Sequence, residues 1–183
     1  MSRVGIYGGT FDPIHRGHLH VITQLFNKDL IDQLLVIPAG QPQLRTSVPT
    51  ASAEQRRTMC ELAVSTLPDE FKNKVHVNPI EILRQGPSYT IETVEALSHA
   101  YPGDQIYLIV GADALSKIEQ WHRAKELQKM VTIICINRPG YPESGIDIDA
   151  LDTAATTIRQ GLSVDVPEIV AGFIRDNGLY GNQ

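Results

Sequence analysis

The stretch RVGIYGGTFDPIHRGH, residues 3–18, decides the fold because it joins a strand pattern to a helix pattern through glycines. Residues 3–7 are short and mostly apolar, as in a strand buried on both faces. Gly8 and Gly9 follow this strand. A helical repeat of apolar residues comes next, formed by Leu19, Ile22 and Phe26. In open α/β sheets such a turn lies at the carboxyl edge, where main-chain amides and a helix N-terminus can bind phosphate.

Four further strand patterns alternate with helical patterns along the chain. The strand segments are QLLVIP (33–38), VHVNPI (75–80), QIYLIV (105–110) and VTIICI (131–136). Two of the helical patterns are carried by Met59, Leu62, Ala63 and Thr66, and by Ile91, Val94 and Leu97. Alternation of this kind predicts an α/β fold with a parallel sheet covered by helices.

Local signals predict where two helices begin or end. Ser52 followed by Gln55 indicates a capping box at the start of the second helix. The tail VPEIVAGFIRDNGLY (166–180) predicts a last helix, with Pro167 near its first turn and Gly178 at its end. The apolar face of this helix is predicted to comprise Ile169, Val170, Phe173 and Ile174.

Length and composition favour one globular domain. We expect a single domain over residues 1–183, with residues 152–183 forming its C-terminal helical part and 138–152 a loop or weak strand. The sequence shows no leader pattern and no apolar run long enough for a membrane span, so we expect a cytoplasmic protein that does not bind membranes. The net charge of −5 argues against a broad nucleic-acid surface. Cys60 and Cys135 lack metal-site spacing and are expected to be reduced apolar residues.

The histidines of the opening stretch are the first candidates for chemistry. The stretch contains neither GxGxxG nor a Walker loop, so other groups must meet a phosphate there. His15 and His18 can face one pocket if the chain enters its helix between them, whereas His20 should point elsewhere. Two alternatives remain open on the histidines alone: a pair of surface histidines beside an ordinary turn, and a zinc site.

Several segments together resemble a known family. GGTFDPIHRGH (8–18) is similar to the GxFDPxHxGH signature of the nucleotidyltransferase superfamily. GPSYTIET (86–93), GADALSKIEQW (111–121) and the closing VPEIVAGFIRDNGLY resemble the nicotinate-nucleotide adenylyltransferase branch, in the same order and over nearly the full chain. The resemblance implies a Rossmann-like, doubly wound sheet. It also implies adenylyl transfer from ATP to nicotinate mononucleotide, giving nicotinate adenine dinucleotide and pyrophosphate in NAD biosynthesis.

The resemblance also implies roles for individual residues on the ATP side. The catalytic residues would be His15, His18 and Arg159. The ATP-binding residues would be Gly8, Gly9, Thr10, Phe11, Arg45 and Thr156. Mg²⁺ would accompany ATP and bridge phosphate oxygens, so no dedicated protein ligand for a metal is assigned.

The acceptor would be bound by the two middle motifs, through Tyr89, Thr90, Gly111, Asp113 and Trp121. Tyr89 and Thr90 start a helix whose amides can receive a carboxylate, which favours nicotinate over nicotinamide. Trp121 can stack on a pyridinium ring, and by resemblance Asp113 binds a ribose hydroxyl. The alternatives are structural: Ser88, Thr90 or Asp113 as helix caps, and Trp121 as a core residue.

Two departures from the family pattern leave other functions open. Arg45 stands where the family usually has lysine, and AATTIR (154–159) stands where it has SSTxIR, so Ala154 and Ala155 lack the expected hydroxyls. A weakly active or inactive nucleotide-binding relative is therefore one alternative. A sister adenylyltransferase acting on nicotinamide mononucleotide or phosphopantetheine is another. A homo-oligomer is compatible with the sequence, which does not define an oligomeric state.

Overall fold

The computed structural model describes residues 1–41, 48–137, 145–148, 154–161, 163 and 165–181. Five strands in this part of the chain form one parallel sheet in the order β3-β2-β1-β4-β5. The strands are β1 (Arg3–Gly9), β2 (Gln33–Pro38), β3 (Val75–Val77), β4 (Gln105–Gly111) and β5 (Thr132–Ile136). Each of the five predicted segments contains a strand, and the α/β fold class is confirmed. β3 ends at Val77 and Ile80 begins a helix, so the prediction of a strand over residues 78–80 was wrong.

The order of the strands places a crevice beside β1. The chain moves outward from β1 to β2 and β3, then returns to the other side of β1 to form β4 and β5. The carboxyl ends of β1 and β4 therefore lie side by side where the winding direction reverses. Ligands of doubly wound sheets bind outside the carboxyl ends of the strands at such a point.

Helices cover both faces of the sheet. In chain order they are α1 (Arg16–Asn27), α2 (Ala53–Val64), α3 (Asp69–Lys72), α4 (Ile80–Leu83), α5 (Thr90–Ala100), α6 (Ala112–Leu115), α7 (Ala124–Met130), α8 (Ala155–Arg159) and α9 (Glu168–Asp176). The predicted capping box of α2 is confirmed, because Ser52 Oγ accepts from Gln55 N–H at 3.2 Å and Gln55 Oε1 accepts from Ser52 N–H at 2.9 Å. Thr66 lies beyond the end of α2, so its place in the helical repeat was wrong.

The core has one apolar cluster on each side of the sheet. One contains Ile22, Leu25, Met59 and Ala63 with residues of α9, and the other contains Val4, Ile6, Val94 and Leu127. Neighbouring β1 residues alternate between the two clusters, as period-2 side chains must. In the part of the chain that the structure describes, no helix is long and apolar enough to cross a membrane.

The C-terminal helical part agrees with the sequence in most respects. α9 begins after Pro167, and Gly178 adopts a positive φ of 58° just beyond its end. Val170 and Ile174 are buried, but Ile169 is 48% exposed, so its assignment to the apolar face was wrong. Position 169 lies at the solvent edge of the narrow stripe that a nine-residue helix buries. Most of the predicted loop, 138–152, lies outside the described residues, and the single-domain division stays a prediction.

Candidate active site

A cavity of about 570 Å³ opens at the carboxyl ends of β1 and β4. It brings together candidates from three separate parts of the sequence. The predicted site residues that line it are Gly8, Gly9, Thr10, Phe11, His15, His18, Thr90, Gly111, Asp113, Trp121, Thr156 and Arg159. Tyr89 is not among the lining residues, although its chain neighbours Ser88 and Thr90 are. Arg45 lies outside the described residues.

His15 and His18 meet where α1 begins. His15 is the residue before the first turn, and its ring centroid lies 3.6 Å from that of His18. The His15 main-chain N–H donates to His18 Nδ1 at 3.1 Å, so neutral His18 must carry its proton on Nε2. Phe11 supports the His18 ring edge-on, with the centroids 5.0 Å apart. His18 is therefore held in the tautomer that can donate from Nε2.

His20 is directed away from the pair, as its spacing predicts. Its Nε2 donates to the main-chain carbonyl of Ile148 at 2.6 Å. Because α1 starts directly after His15, His15 and His18 line the cavity, whereas His20 lies on another side of the helix.

Asp12 organises the turn between β1 and α1, and sequence reasoning missed it. Its carboxylate is 2% exposed and accepts hydrogen bonds from the Thr50 and Ala51 main-chain N–H groups and from the Tyr180 hydroxyl. Burial and the bond to Asp12 raise the pKa of Tyr180 above its usual range. The main-chain carbonyl of Asp12 accepts from Arg159 Nη1 at 2.6 Å. Asp12 thereby joins the turn to α8 and to the C-terminal residues.

Arg56 supports the same turn from below and was also missed. It is 1% exposed, and its guanidinium donates to the Thr10 carbonyl at 2.7 Å and to the Gly40 carbonyl at 3.3 Å. The available signal was position: an arginine three residues before Met59 falls on the buried face of α2. A charged side chain on that face requires polar partners inside the protein.

The acceptor side of the cavity is built on α5 and on the residues after β4. α5 begins at Thr90, directly after Tyr89, as predicted. The Tyr89 ring packs on His122, with centroids 4.4 Å apart. Asp113 lies in the first turn of α6, whose N-cap position is occupied by Gly111.

Trp121 serves two purposes in the structure. It packs against the second apolar cluster and also lines the cavity, so its position is compatible with both the core and the acceptor-binding interpretation. Its indole Nε1 is buried and has no hydrogen-bond partner among the residues that the structure describes. Burying such a donor without a partner costs stability.

Arg159 and Thr156 close the cavity from α8. Arg159 Nη2 donates to Thr156 Oγ1 at 3.1 Å while its Nη1 bonds Asp12, so the guanidinium is held at the cavity wall. Ala154 is exposed and precedes the first residue of α8, Ala155. The start of this helix therefore faces the cavity without the hydroxyls that the resemblance implies.

The cavity contains groups that can polarise and align a phosphate, and neither cysteine lines it. Cys60 and Cys135 are buried, and burial raises the pKa of the Cys60 thiol well above its usual range. His18 on α1 and Arg159 on α8 supply donors from two separate elements that line the cavity. Converging donors can stabilise charge that develops on phosphoryl oxygens.

Comparison with known proteins agrees with this geometry. A Cytidylyltransferase-like family model matches residues 6–168. The nicotinate-nucleotide adenylyltransferase of Bacillus subtilis (strain 168) is 31% identical over 192 residues, covering 98% of this chain and 99% of the relative. A protein of Geobacillus thermodenitrificans (strain NG80-2) named "Probable nicotinate-nucleotide adenylyltransferase" is 34% identical over 193 residues, covering 99% and 87%. The chain belongs to the nicotinate-nucleotide adenylyltransferase family.

Solved structures share the fold of this nicotinate-nucleotide adenylyltransferase family member. Plasmodium falciparum nicotinic acid mononucleotide adenylyltransferase complexed with NaAD has a TM-score of 0.81 at 18% identity, covering 100% of this chain and 99% of that one. The structure of the Plasmodium falciparum enzyme complexed with APC has a TM-score of 0.78. At this level of identity the likeness concerns the fold, and it agrees with the doubly wound sheet.

Proposed function

We propose that the protein transfers the adenylyl group of ATP to nicotinate mononucleotide, giving nicotinate adenine dinucleotide and pyrophosphate. The observation that carries the proposal is the meeting of three motifs in one cavity. The His15–His18 pair, the start of α5 with Trp121, and Arg159 all face the same space in a chain of this family. These groups match the two ends of the reaction, a triphosphate and a pyridine carboxylate.

The reaction needs alignment more than it needs a protein base. A phosphate oxygen of the mononucleotide forms a bond to the α-phosphorus of ATP as the bond from that phosphorus to the bridging oxygen breaks. The electron pair of the broken bond leaves with pyrophosphate. Because the attacking phosphate is already ionised near neutral pH, no side chain has to remove a proton from it.

We assign the phosphates to the His15–His18 side of the cavity. His18 Nε2–H would donate to an α-phosphoryl oxygen as its charge grows, with Nδ1 fixed by the His15 amide. Arg159 would neutralise the departing pyrophosphate with the N–H groups that its bonds to Asp12 and Thr156 leave available. Gly8, Gly9, Thr10 and Phe11 line the cavity and would contact the nucleotide.

We assign the acceptor to the α5 side. The amides at the start of α5, at Tyr89 and Thr90, would receive the nicotinate carboxylate, and the positive end of the helix favours that charge. Trp121 would stack on the pyridinium ring, and Asp113 beside Gly111 would accept from a ribose hydroxyl.

Mg²⁺ would enter with ATP as part of the substrate. Among the described residues, no three His, Cys, Asp or Glu side chains are grouped so that they could hold a metal ion. Both carboxylate oxygens of Asp12 already accept hydrogen bonds. A divalent ion held mainly by phosphate oxygens fits such a cavity, because Mg²⁺ keeps much of its water and needs few protein ligands.

One assay tests the proposal against its alternatives. Pyrophosphate release from ATP is measured with nicotinate mononucleotide, nicotinamide mononucleotide and phosphopantetheine in turn. We expect nicotinate mononucleotide to give the highest kcat/KM. A higher value with another acceptor would identify a sister enzyme. ATP binding without pyrophosphate release would identify an inactive relative, the alternative that the missing hydroxyls at Ala154 and Ala155 favour.

A further inference from the structure

A buried polar network connects the two sides of the cavity. Thr93, one turn into α5, is 1% exposed, and its hydroxyl donates to Glu81 Oε1 at 2.9 Å. Gly40 packs directly against the main chain of Glu81. Arg84 Nη1 donates to the same Thr93 oxygen at 3.3 Å. None of these four residues belongs to the candidate site predicted from the sequence.

Gly40 is the point at which this network crosses from α4 and α5 to β2. A Cβ atom at position 40 would lie 2.1 Å from the Glu81 carbonyl oxygen, so only glycine allows the two segments to approach this closely. The Gly40 carbonyl accepts from Arg56, which also donates to the Thr10 carbonyl. Hydrogen bonds of Arg56 therefore link the turn after β1 to Gly40, and the packing of Gly40 against Glu81 continues the connection to α5.

The network reaches the proposed acceptor site through the helix backbone. The Thr93 N–H donates to the Tyr89 carbonyl at 3.3 Å, and Thr93 lies on the same face of α5 as Thr90. Fixing the Thr93 side chain thus fixes the first turn of α5, in which Thr90 lines the cavity. Glu81 itself lines the cavity. Thr93 lines the same cavity.

We infer that Glu81, acting through Thr93, is a positioning residue that holds the start of α5 in the place where the acceptor carboxylate binds. The inference rests on the proposed function. Glu81 touches no reacting atom in this scheme. Its effect should therefore fall on acceptor binding and leave ATP binding and the chemical step almost unchanged.

A matched pair of substitutions tests the inference. Thr93→Val keeps the shape of the side chain and removes the hydroxyl, whereas Thr93→Ser keeps the hydroxyl. We expect Thr93→Val to raise the KM for nicotinate mononucleotide about tenfold, as the loss of a hydrogen bond to a charged group does. The KM for ATP and kcat should change less than about twofold, and Thr93→Ser should restore most of the acceptor KM.

Glu81→Asp provides a second test that keeps the negative charge. The shorter side chain withdraws the carboxylate from Thr93, so the KM for nicotinate mononucleotide should rise to a similar extent. Because both changes break one bond, the double variant Glu81→Asp/Thr93→Val should be little worse than either single variant. The Glu81→Asp variant also tests the inference if the Thr93→Val variant fails to fold.

Three outcomes would overturn the inference. Equal increases in the KM for both substrates would indicate general damage to the cavity. An unchanged acceptor KM in Thr93→Val and Glu81→Asp would mean that the network does not position α5. Additive effects in the double variant would mean that Glu81 and Thr93 act independently of each other. A wild-type protein that releases pyrophosphate with another acceptor only would instead refute the proposed function, and the inference with it.

Discussion

Arg159 donates from Nη1 to the main-chain carbonyl of Asp12 at 2.6 Å, across 147 positions of sequence. This bond attaches α8 to the turn that carries His15 and His18. The same guanidinium holds Thr156 through Nη2. Arg159 is therefore part of the wall of the cavity as well as a candidate partner for pyrophosphate.

Replacement of Arg159 should impair both substrate binding and turnover. Arg159→Ala is expected to lower kcat at least about 100-fold and to raise the KM for ATP, because a positive charge beside the leaving group is lost. Arg159→Lys keeps the charge without the planar pair of N–H groups, so it should recover only part of the loss. Steady-state kinetics with each substrate varied in turn measures both effects. Normal kinetics in the Arg159→Ala variant would show that α8 does not take part in the active site.

His18→Ala should leave the fold intact and slow adenylyl transfer by about two orders of magnitude, since a preorganised donor to the transition state is removed. The matched control is His20→Ala on the same helix, whose ring bonds Ile148 outside the cavity. The control should lose some stability and keep its turnover. Turnover at saturating substrates and thermal unfolding of both variants provide the comparison. Equal turnover in the two variants would contradict the assignment of His18.

The turn after β1 shows what the sequence could predict and what it could not. Strand and helix periodicities are local, so they located β1 and α1 and, through them, the edge at which His15 and His18 lie. The same patterns did not identify Asp12 and Arg56, because the roles of these two residues depend on partners that are distant in the sequence. The Asp12 carboxylate meets Tyr180 168 positions away, and Arg56 meets Thr10 46 positions away.

The acceptor side shows the same division between local and distant signals. The start of α5 at Thr90 can be predicted from the helical periodicity of the residues that follow it in the sequence. The close approach of Gly40 to Glu81 depends on how α4 packs against the end of β2, which no local pattern encodes. The prediction that Ile169 is buried was wrong for a related reason. Its spacing fits a helical stripe, but the width of the buried stripe is set by the surface against which α9 packs.

Trp121 can be tested for its two roles separately. Trp121→Ala should raise the KM for nicotinate mononucleotide by about 5- to 30-fold, equivalent to ~1–2 kcal/mol of stacking and cation–π attraction. Trp121→Phe keeps a flat ring and removes the buried Nε1–H that has no partner in the described part of the chain. It should bind the acceptor more tightly than the alanine variant, with little loss of melting temperature. A large fall in melting temperature with a normal KM in Trp121→Ala would assign the residue to the core alone.

Glu81 should make stability depend on pH. Burial raises its pKa above the ordinary 4.5, against the opposing effects of the Thr93 hydroxyl, the Arg84 charge and the Gly40 amide, while Glu92 adds to the increase. The folded state therefore binds this proton more tightly than the unfolded state. The resulting contribution to stability is fully present below pH 4.5 and is lost as pH rises through the folded pKa.

The comparison that isolates this effect is between the wild type and Glu81→Gln, which does not titrate at this position. The free energy of unfolding of the wild type, relative to that of the variant, should increase as pH falls from neutral to about 4.5. Denaturant unfolding at a series of pH values measures the difference. A constant difference across this range would show that the pKa of Glu81 is the same in both states.

Restoring the two hydroxyls at the start of α8 should strengthen ATP binding. Ala154 and Ala155 both line the cavity, and Ala154 immediately precedes the helix with extended backbone angles, φ −125° and ψ 133°. Ala155→Ser should lower the KM for ATP by up to about tenfold, because a hydrogen bond to a charged phosphate contributes on the order of 1.5 kcal/mol. The KM for nicotinate mononucleotide should stay nearly unchanged.

Ala154→Ser differs, since a serine before the first helical residue can accept from the helix N–H groups and cap α8, which stabilises a helix by about 1 kcal/mol. Its effect should therefore be shared between melting temperature and ATP binding, and the two single variants separate these contributions. If neither substitution lowers the KM for ATP, the main-chain amides of α8 and the Arg159 guanidinium already suffice for the triphosphate.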